Sequence, residues 1–217
     1  MLPLPDSRRA KVFLETLKES GIESVTLPIQ KIKKEETLSG LQDKVLRCTK
    51  CLELVNNRNT VVFGSGNPKA NLVFVGEAPG AEEDRQGLPF VGRAGQLLTK
   101  MIEAIKLRRE DVFIANVLKC RPPGNRPPQT VEIENCQPYL AKQLALIRPK
   151  LICALGSFAA QTLLKTKATI SSLRGRTHHY EGIPLICTFH PAYLLRNASE
   201  KRRAWEDLKK VRSMLDQ

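Results

Sequence analysis

Four short apolar runs constrain the fold of this chain more than any other feature. They cover 71–76, 112–118, 151–156 and 184–189, and each is apolar on both faces of an extended chain. Strands buried on both faces are typical of parallel sheets covered by helices. Helical patterns over 93–107, 130–147, 157–164 and 199–215 separate or follow the runs. We therefore expect an α/β fold with three layers, α/β/α, around a central four-stranded, mainly parallel sheet.

A separate N-terminal appendage is predicted ahead of this domain. Apolar residues fall at i, i+3, i+4 and i+7 over 7–20, which predicts a helix. Residues 21–38 are predicted to be a linker, with a cluster of Lys and Glu near its end. We expect residues 1–38 to form this helix and linker, and residues 39–217 to form the folded domain.

The net charge of +13 points to an acidic polymer as partner. Residues 1–38 hold seven Lys/Arg and six Asp/Glu, so the excess lies in the predicted folded domain. Nucleic acid is favoured over an anionic membrane because the chain has no long basic amphipathic helix. No apolar run is long enough to cross a bilayer, and residues 1–9 lack a signal-peptide core, so a cytoplasmic protein is expected. A basic surface that only aids solubility is the alternative.

Four of the six cysteines have the arrangement of a metal site. Cys48 and Cys51 form a C-x2-C pair, and Cys120 and Cys136 follow much later in the chain. Four thiolates suit zinc or an iron–sulfur cluster, and the spacing does not decide between them; chance spacing is the remaining alternative. Cys153 and Cys187 lie inside apolar runs and are predicted to be core residues.

Polar residues follow the predicted strands at the edge where parallel sheets bind ligands. Glu77 follows the first strand, Asn116 lies at the end of the second, Ser157 follows the third and His190 follows the fourth. A carboxylate, an amide, a hydroxyl and an imidazole are therefore expected at one edge of the sheet. This concentration predicts a ligand-binding or catalytic site there.

Three long motifs give the chain a resemblance to a known family. They are GEAPGAEEDRQGLPFVGRAGQLL at 76–98, IANVLKCRPPGNRPP at 114–128 and HPAYLLR at 190–196. Together with the four cysteines, they resemble the family 4 uracil-DNA glycosylases of bacteria and archaea over about 39–215. The resemblance implies an enzyme of base excision repair with a structural [4Fe-4S] cluster on the four cysteines. A covalently trapping relative carries a basic, histidine-containing insertion after the second strand; the short loop 121–128 lacks it, so ordinary turnover is expected.

The resemblance also assigns the residues that contact the base. Phe90 is expected to stack on a flipped-out uracil, Asn116 to read its edge, and His190 to donate to its O2 atom. Ala78 stands where the best-known uracil glycosylases carry an Asp, so that carboxylate is absent. Glu77 is expected to shape the pocket floor or help to exclude the methyl group of thymine.

The water activator is predicted among other polar residues. Glu83 is the first choice for positioning water or stabilising the cationic sugar, and Asn125 is expected to help hold the water. Two neighbours of Glu83, Glu82 and Asp84, are interpreted as plain solvated charges. His178 and His179 are interpreted as a solvated turn.

DNA contacts are predicted at two places. Backbone N–H groups at Gly156 and Ser157 begin a helix and suit a phosphate, with Ser157 as a candidate N-cap. Tyr193, Leu195 and Arg196 match a loop that enters the minor groove. Arg174 is expected either to touch phosphates or to lie on a solvated face.

Two other classes of protein would explain part of this pattern. A non-catalytic iron–sulfur protein that binds nucleic acid would account for the charge and the cysteines. A zinc-stabilised α/β hydrolase acting on small molecules would account for the fold. The expected partner is uracil-containing DNA, single- or double-stranded, bound by a monomer with no membrane association in a prokaryotic, nucleoid-associated setting.

Overall fold

The computed structural model describes residues 37–216. Six strands form one sheet in the order β1-β3-β2-β4-β6-β5. They are β1 (Ser65–Gly66), β2 (Leu72–Gly76), β3 (Phe113–Asn116), β4 (Leu151–Leu155), β5 (Thr177–Tyr180) and β6 (Ile183–Thr188). β2 pairs in parallel with β3 and β4, and β4 pairs in parallel with β6. The four predicted apolar runs are therefore the four central strands, as expected.

Two strands were missing from the four-strand prediction. β1 and β5 pair antiparallel at opposite edges of the sheet. β1 has only two residues, and β5 carries the sequence THHY, so neither has an apolar run. The interpretation of His178 and His179 as a solvated turn is wrong, because both lie in β5. Edge strands are buried on one side at most, which removes the signal that identified the central strands.

Nine α-helices and three short 3₁₀ turns lie in the described part of the chain. The helices are α1 (Leu38–Leu46), α2 (Leu52–Asn57), α3 (Ala81–Gln86), α4 (Arg93–Ala104), α5 (Thr130–Ile147), α6 (Ser157–Leu164), α7 (Ile170–Leu173), α8 (Pro191–Arg196) and α9 (Lys201–Leu215). α5 and α6 have the predicted bounds, and α4 and α9 begin or end within three residues of the prediction. The N-cap of α6 is Gly156 and not Ser157, which is the first helical residue.

Helices cover both faces of the sheet, so the three-layer prediction is confirmed. On one face Leu41 of α1, Leu140 of α5 and Leu163 of α6 pack on the sheet in one apolar cluster. On the other face Leu98 of α4 and Leu208 of α9 belong to a second cluster. Alternate residues of each central strand contribute to the two clusters, which is why the strands are apolar on both sides.

α1 begins at Leu38 with a side-chain cap, because the hydroxyl of Thr37 accepts the N–H of Gly40. The predicted helix over 7–20, and the predicted linker up to residue 36, lie outside the described residues. No helix in the described range is both long and apolar enough to span a membrane.

Candidate active site

A cavity of about 440 Å³ lies at the carboxyl ends of the parallel strands. It brings together nine of the residues predicted to act on the base or the DNA: Glu77, Ala78, Glu83, Phe90, Asn116, Asn125, His190, Tyr193 and Arg196. These residues come from five separate segments of the chain. Gly156, Ser157 and Leu195 do not line the cavity.

Asn116 is the last residue of β3 and is 2% exposed. Its Oδ1 atom is buried, and it has no hydrogen-bond partner among the described residues. Leaving a buried acceptor unpaired costs about 1–3 kcal/mol, so this atom needs a partner such as a ligand or an ordered water. An N–H group of a ligand in the cavity would satisfy this oxygen.

Gly76 permits the close approach of two side chains that line the cavity, Asn116 and Phe90. Gly76 is paired with Asn116 in the sheet. A Cβ atom on Gly76 would lie 2.4 Å from Oδ1 of Asn116 and 2.6 Å from Cζ of Phe90. Any larger residue at this strand end would displace one of the two. The position of Gly76 at the strand end was predicted from the sequence, but this steric role was not.

Phe90 has a backbone conformation that few residues other than glycine adopt, with φ of 53°. Its ring is 6% exposed, and its centroid lies 5.5 Å from that of the His190 ring. The carbonyl oxygen of Phe90 would lie 1.8 Å from a Cβ atom on Gly95 in α4. The loop that carries Phe90 is therefore packed directly against this helix.

Glu83 holds the Phe90 loop in place. Its Oε1 atom accepts the N–H groups of Val91 at 2.8 Å and Gly92 at 3.0 Å, and its Oε2 atom accepts the N–H of Gly80 at 3.2 Å. Glu83 as a whole is 9% exposed and lines the cavity. A carboxylate has about four acceptor positions, so one remains for a water molecule or a substrate group.

His190 is fixed in one tautomer by the start of α8. It is the N-cap of that helix, and its Nδ1 atom accepts the N–H of Ala192 at 3.1 Å. The ring proton must then be on Nε2. Burial, with a smaller contribution from Arg196, lowers the pKa of His190 to about 4, although the Glu83 carboxylate opposes this. At neutral pH the residue is an uncharged donor.

The turn between β4 and α6 contacts His190 and not the cavity. Gly156 has φ of +88°, and a Cβ atom there would lie 2.9 Å from Cβ of His190. Its N–H donates to the carbonyl of Thr188 at 2.8 Å. Gly156 thus supports the strand end that carries the imidazole. Ser157 is half-buried beside it.

α8, beside the cavity, presents three residues to solvent. Tyr193 is 38% exposed and Leu195 is 40% exposed, and Arg196 is also exposed. The Tyr193 ring stacks on Phe189 at a centroid distance of 5.2 Å. Such an apolar and basic edge suits contact with nucleic acid.

Arg174 was predicted either to touch phosphates or to lie on a solvated face, and it does neither. Its side chain is 11% exposed and pairs with buried Asp207 at 3.0 Å, with its guanidinium over the ring of Phe189. Asp207 also accepts the hydroxyl of Thr188 at 2.8 Å. The pair lies beneath the segment that leads to His190 and supports it.

Asp84 is not a solvated charge, and that interpretation is wrong. It is fully buried and accepts the backbone N–H groups of Asn59 and Thr60 and the side-chain amide of Asn59. Glu82 is half-exposed and pairs with Arg85, as expected of a surface charge. The carboxylate of Asp84 therefore joins α3 to the segment before β1.

The loop after β3 supplies two further polar residues to the cavity. Asn125 has φ of 56°, and its Oδ1 atom accepts from Arg121 at 2.8 Å. Arg126 was missed by sequence reasoning: it lines the cavity and pairs with Glu132 at 2.6 Å and Glu53 at 3.0 Å. Nothing in the sequence around Arg126 indicates these pairs, because Glu53 lies far before it and Glu132 lies in the next helix. Burial raises the pKa of Glu77, which also lines the cavity.

The four predicted metal-ligating cysteines line one smaller cavity on the α1, α2 and α5 side. Three of their sulfurs receive N–H donors: Cys120 from Arg58 at 3.0 Å, Cys136 from the backbone N–H of Lys119 at 3.3 Å, and Cys51 from Asn135 at 3.6 Å. The phenol of Tyr139 contacts Cys48. Donors of this kind stabilise negative sulfur, so the residues fit a group held by thiolates. Within residues 37–216 no three His, Cys, Asp or Glu side chains are grouped to hold a single metal ion.

Cys153 and Cys187 are buried core residues, as predicted. They lie on adjacent strands but belong to opposite apolar clusters. Burial raises the pKa of Cys187 to about 12, so this thiol stays protonated and unreactive.

Residues 63–209 match the model of the uracil DNA glycosylase superfamily, and the chain belongs to that superfamily. It is 45% identical over 184 residues to a type-4 uracil-DNA glycosylase of Archaeoglobus fulgidus, covering 81% of this chain and 92% of that protein. A type-4 uracil-DNA glycosylase of Thermotoga maritima is also 45% identical, over 84% of this chain and 96% of its own length. A type-5 uracil-DNA glycosylase of Pyrobaculum aerophilum is 29% identical over 78% of this chain.

Proposed function

We propose that this protein excises uracil from DNA by hydrolysing its N-glycosidic bond, which leaves an abasic site for base excision repair. One observation carries the proposal: Asn116, whose Oδ1 atom is buried without a partner, and the uncharged His190 line the same cavity as Phe90. The superfamily and the type-4 relatives support the same reaction.

Base recognition follows from the groups around the cavity. A stacked base is out of reach, so the nucleotide must be flipped into the cavity, where the face of Phe90 covers the ring. The Asn116 oxygen accepts the N3–H of uracil, and its NH₂ group donates to O4. Cytosine presents the opposite pattern and is rejected. Glu77 and Ala78 form the floor of the pocket, where Glu77 helps to exclude a thymine methyl group.

Bond cleavage depends on stabilising the departing base. As the bond breaks, negative charge develops on the uracil and positive charge on the sugar. The Nε2–H of His190 donates to O2, and this hydrogen bond strengthens as the charge appears. The Ala192 N–H keeps Nδ1 as an acceptor, so the donor is always presented from the same side of the ring.

The attacking water is positioned by Glu83 and Asn125. Glu83 has one acceptor position left after its three backbone hydrogen bonds, and it borders the cavity. Its negative charge also stabilises the cationic sugar. Asn125 lies on the loop after β3, with its NH₂ group free to contact water after Oδ1 accepts from Arg121.

DNA is held by α8 and by the start of α6. Tyr193 and Leu195 fill the space left by the flipped nucleotide, and Arg196 contacts phosphate. The N–H of Ser157 binds a second phosphate, whereas the N–H of Gly156, predicted to do the same, already donates to the carbonyl of Thr188. The protein acts as a monomer on single- or double-stranded DNA, at the nucleoid of a prokaryotic cytoplasm.

The four cysteines Cys48, Cys51, Cys120 and Cys136 would hold a [4Fe-4S] cluster. When bound, the cluster supplies a covalent cross-link between the α1–α2 segment and the β3–α5 segment. The N–H donors on three of the sulfurs support this assignment.

Single-turnover release of uracil from a labelled oligonucleotide tests the proposal. The wild-type protein should release uracil, and His190→Ala should release it about 100-fold or more slowly, as expected when one transition-state donor is lost. Exposed His179→Ala is the matched control and should be unchanged. Tight DNA binding with no release by wild type would overturn the enzyme assignment in favour of a binding protein.

A further inference from the structure

Lys119 is a buried cation between the two functional regions. It directly precedes Cys120, follows Asn116 by three residues, and is 1% exposed. Removing an ammonium from water costs several kcal/mol unless other groups compensate its charge and hydrogen bonds. Its position therefore requires specific partners.

Its hydrogen bonds join the base site to the core. The Nζ atom donates to the backbone carbonyl of Asn116 at 2.8 Å and to Oε1 of Gln143 at 2.5 Å. Gln143 is itself held by donation to the carbonyl of Phe63 at 2.9 Å. The ammonium thus fixes the backbone of the residue whose side chain faces the cavity.

Its electrostatic partners lie on the other side, at the four-cysteine site. No carboxylate forms an ion pair with Lys119 in the part of the chain that the structure describes. Lys119 directly precedes Cys120 and lines the same cavity as the four cysteines, where thiolate sulfurs would attract its positive charge. The backbone N–H of Lys119 also donates to the Cys136 sulfur.

We propose that Lys119 is a positioning residue that couples the four-cysteine site to Asn116. Its charge balances the thiolates, and its ammonium holds the Asn116 carbonyl so that the amide keeps its orientation toward the base. The inference rests on the proposed function for the meaning of Asn116, and adds a link between binding at the cysteines and selectivity for uracil.

Iron retention tests the charge-balancing part without any activity measurement. Lys119→Met keeps the length of the side chain and removes the charge. Purified holoprotein carrying this change should release iron to a chelator several-fold faster than wild type, because four thiolates then lack a compensating cation. Exposed Lys150→Met is the control and should match wild type. Iron release at the wild-type rate by Lys119→Met would overturn charge balancing.

A double-mutant cycle tests the link to Asn116. Lys119→Met alone should slow uracil release about tenfold and reduce uracil-over-cytosine selectivity, with a smaller effect on DNA affinity. In an Asn116→Ala background the same change should slow uracil release little further, because the amide that Lys119 orients is no longer present. Fully additive losses in an active protein would overturn the coupling, whereas absence of uracil release by wild type would overturn the proposed function.

A second variant covers the case in which Lys119→Met does not fold. Gln143→Met removes one acceptor of the ammonium but leaves the charge in place. Gln143→Met should slow uracil release, and the effect should be smaller when Asn116→Ala is already present. Its iron retention should be closer to that of wild type than the iron retention of Lys119→Met is. If Gln143→Met changes the rate of uracil release and the rate of iron release by the same factor, the proposed division of roles is contradicted. It is also contradicted if the loss in uracil release adds fully to the loss caused by Asn116→Ala.

Discussion

Gly156 and His190 are in direct contact, and a Cβ atom on Gly156 would lie 2.9 Å from Cβ of His190. Gly156→Ala should therefore do more than strain a backbone with φ of +88°. We expect a loss of stability of about 1 kcal/mol or more, together with at least a tenfold loss in the rate of uracil release as His190 is displaced. Thermal unfolding and single-turnover kinetics measure the two effects.

Gly182→Ala is the control for this change. Gly182 has φ of +81°, but nothing lies within 4 Å of its added Cβ. It should lose similar stability and keep full activity. If both variants lose activity equally, backbone strain and not contact with His190 would be the cause.

Asn116→Asp should weaken discrimination between uracil and cytosine. The ionised carboxylate accepts hydrogen bonds but cannot donate to O4 of uracil. We expect uracil release to fall about 10- to 100-fold, in line with the loss of one buried hydrogen bond. Release of both bases from matched oligonucleotides gives the ratio. Full uracil selectivity in this variant would show that Asn116 does not read the base.

The lowered pKa of His190 predicts how stability depends on pH. The folded protein holds His190 neutral down to pH about 4, whereas an unfolded histidine titrates near 6.5. Between these values the unfolded state binds more protons, so the free energy of unfolding falls as pH drops through this window. Above pH 6.5 His190 is neutral in both states and adds no pH dependence to the free energy of unfolding.

Urea unfolding at pH 5 and pH 8 measures this contribution. His190→Gln should lose less stability than wild type on going from pH 8 to pH 5, and exposed His179→Gln should behave as wild type does. Identical pH dependence in wild type and His190→Gln would mean that the imidazole titrates normally. Uracil release should also persist in wild type well below pH 6.5.

DNA binding should weaken steeply as the salt concentration rises, because phosphate contacts release counterions. Arg196→Gln should reduce the slope of log K against log salt by about one, if this side chain contacts one phosphate. Lys150→Gln, at the opposite end of the sheet, should leave the slope unchanged. A flat salt response in wild type would argue against phosphate contacts.

The sequence predicted the central sheet and the location of the site well, for a physical reason. Fully buried strands must be apolar on both faces, so 71–76 and 151–156 were visible as continuous runs. The rule that ligands bind at the carboxyl ends of parallel strands then placed Asn116 and His190 at one edge. The roles of these residues in catalysis, and the separation of the chain at residue 38, stay predictions.

What the sequence did not reveal depends on partners distant in the chain. Asp84 looked like a surface charge because its donors, Asn59 and Thr60, lie before β1. Arg174 pairs with Asp207, in a helix that begins 27 residues later. The steric roles of Gly76 and Gly156 could not be predicted either. A local sequence pattern indicates which residues are buried, but not which side chain of another segment lies against them.

The cysteine cavity unites sulfurs that stand on either side of β2 and β3 in the chain. A cluster on them would close the stretch from Cys51 to Cys120 into a ring that contains α3, the Phe90 loop and α4. Constraining so long a loop lowers the entropy of the unfolded chain. A single protease cut inside the ring would then give two fragments on a denaturing gel that remain one particle in solution, with the base pocket still assembled.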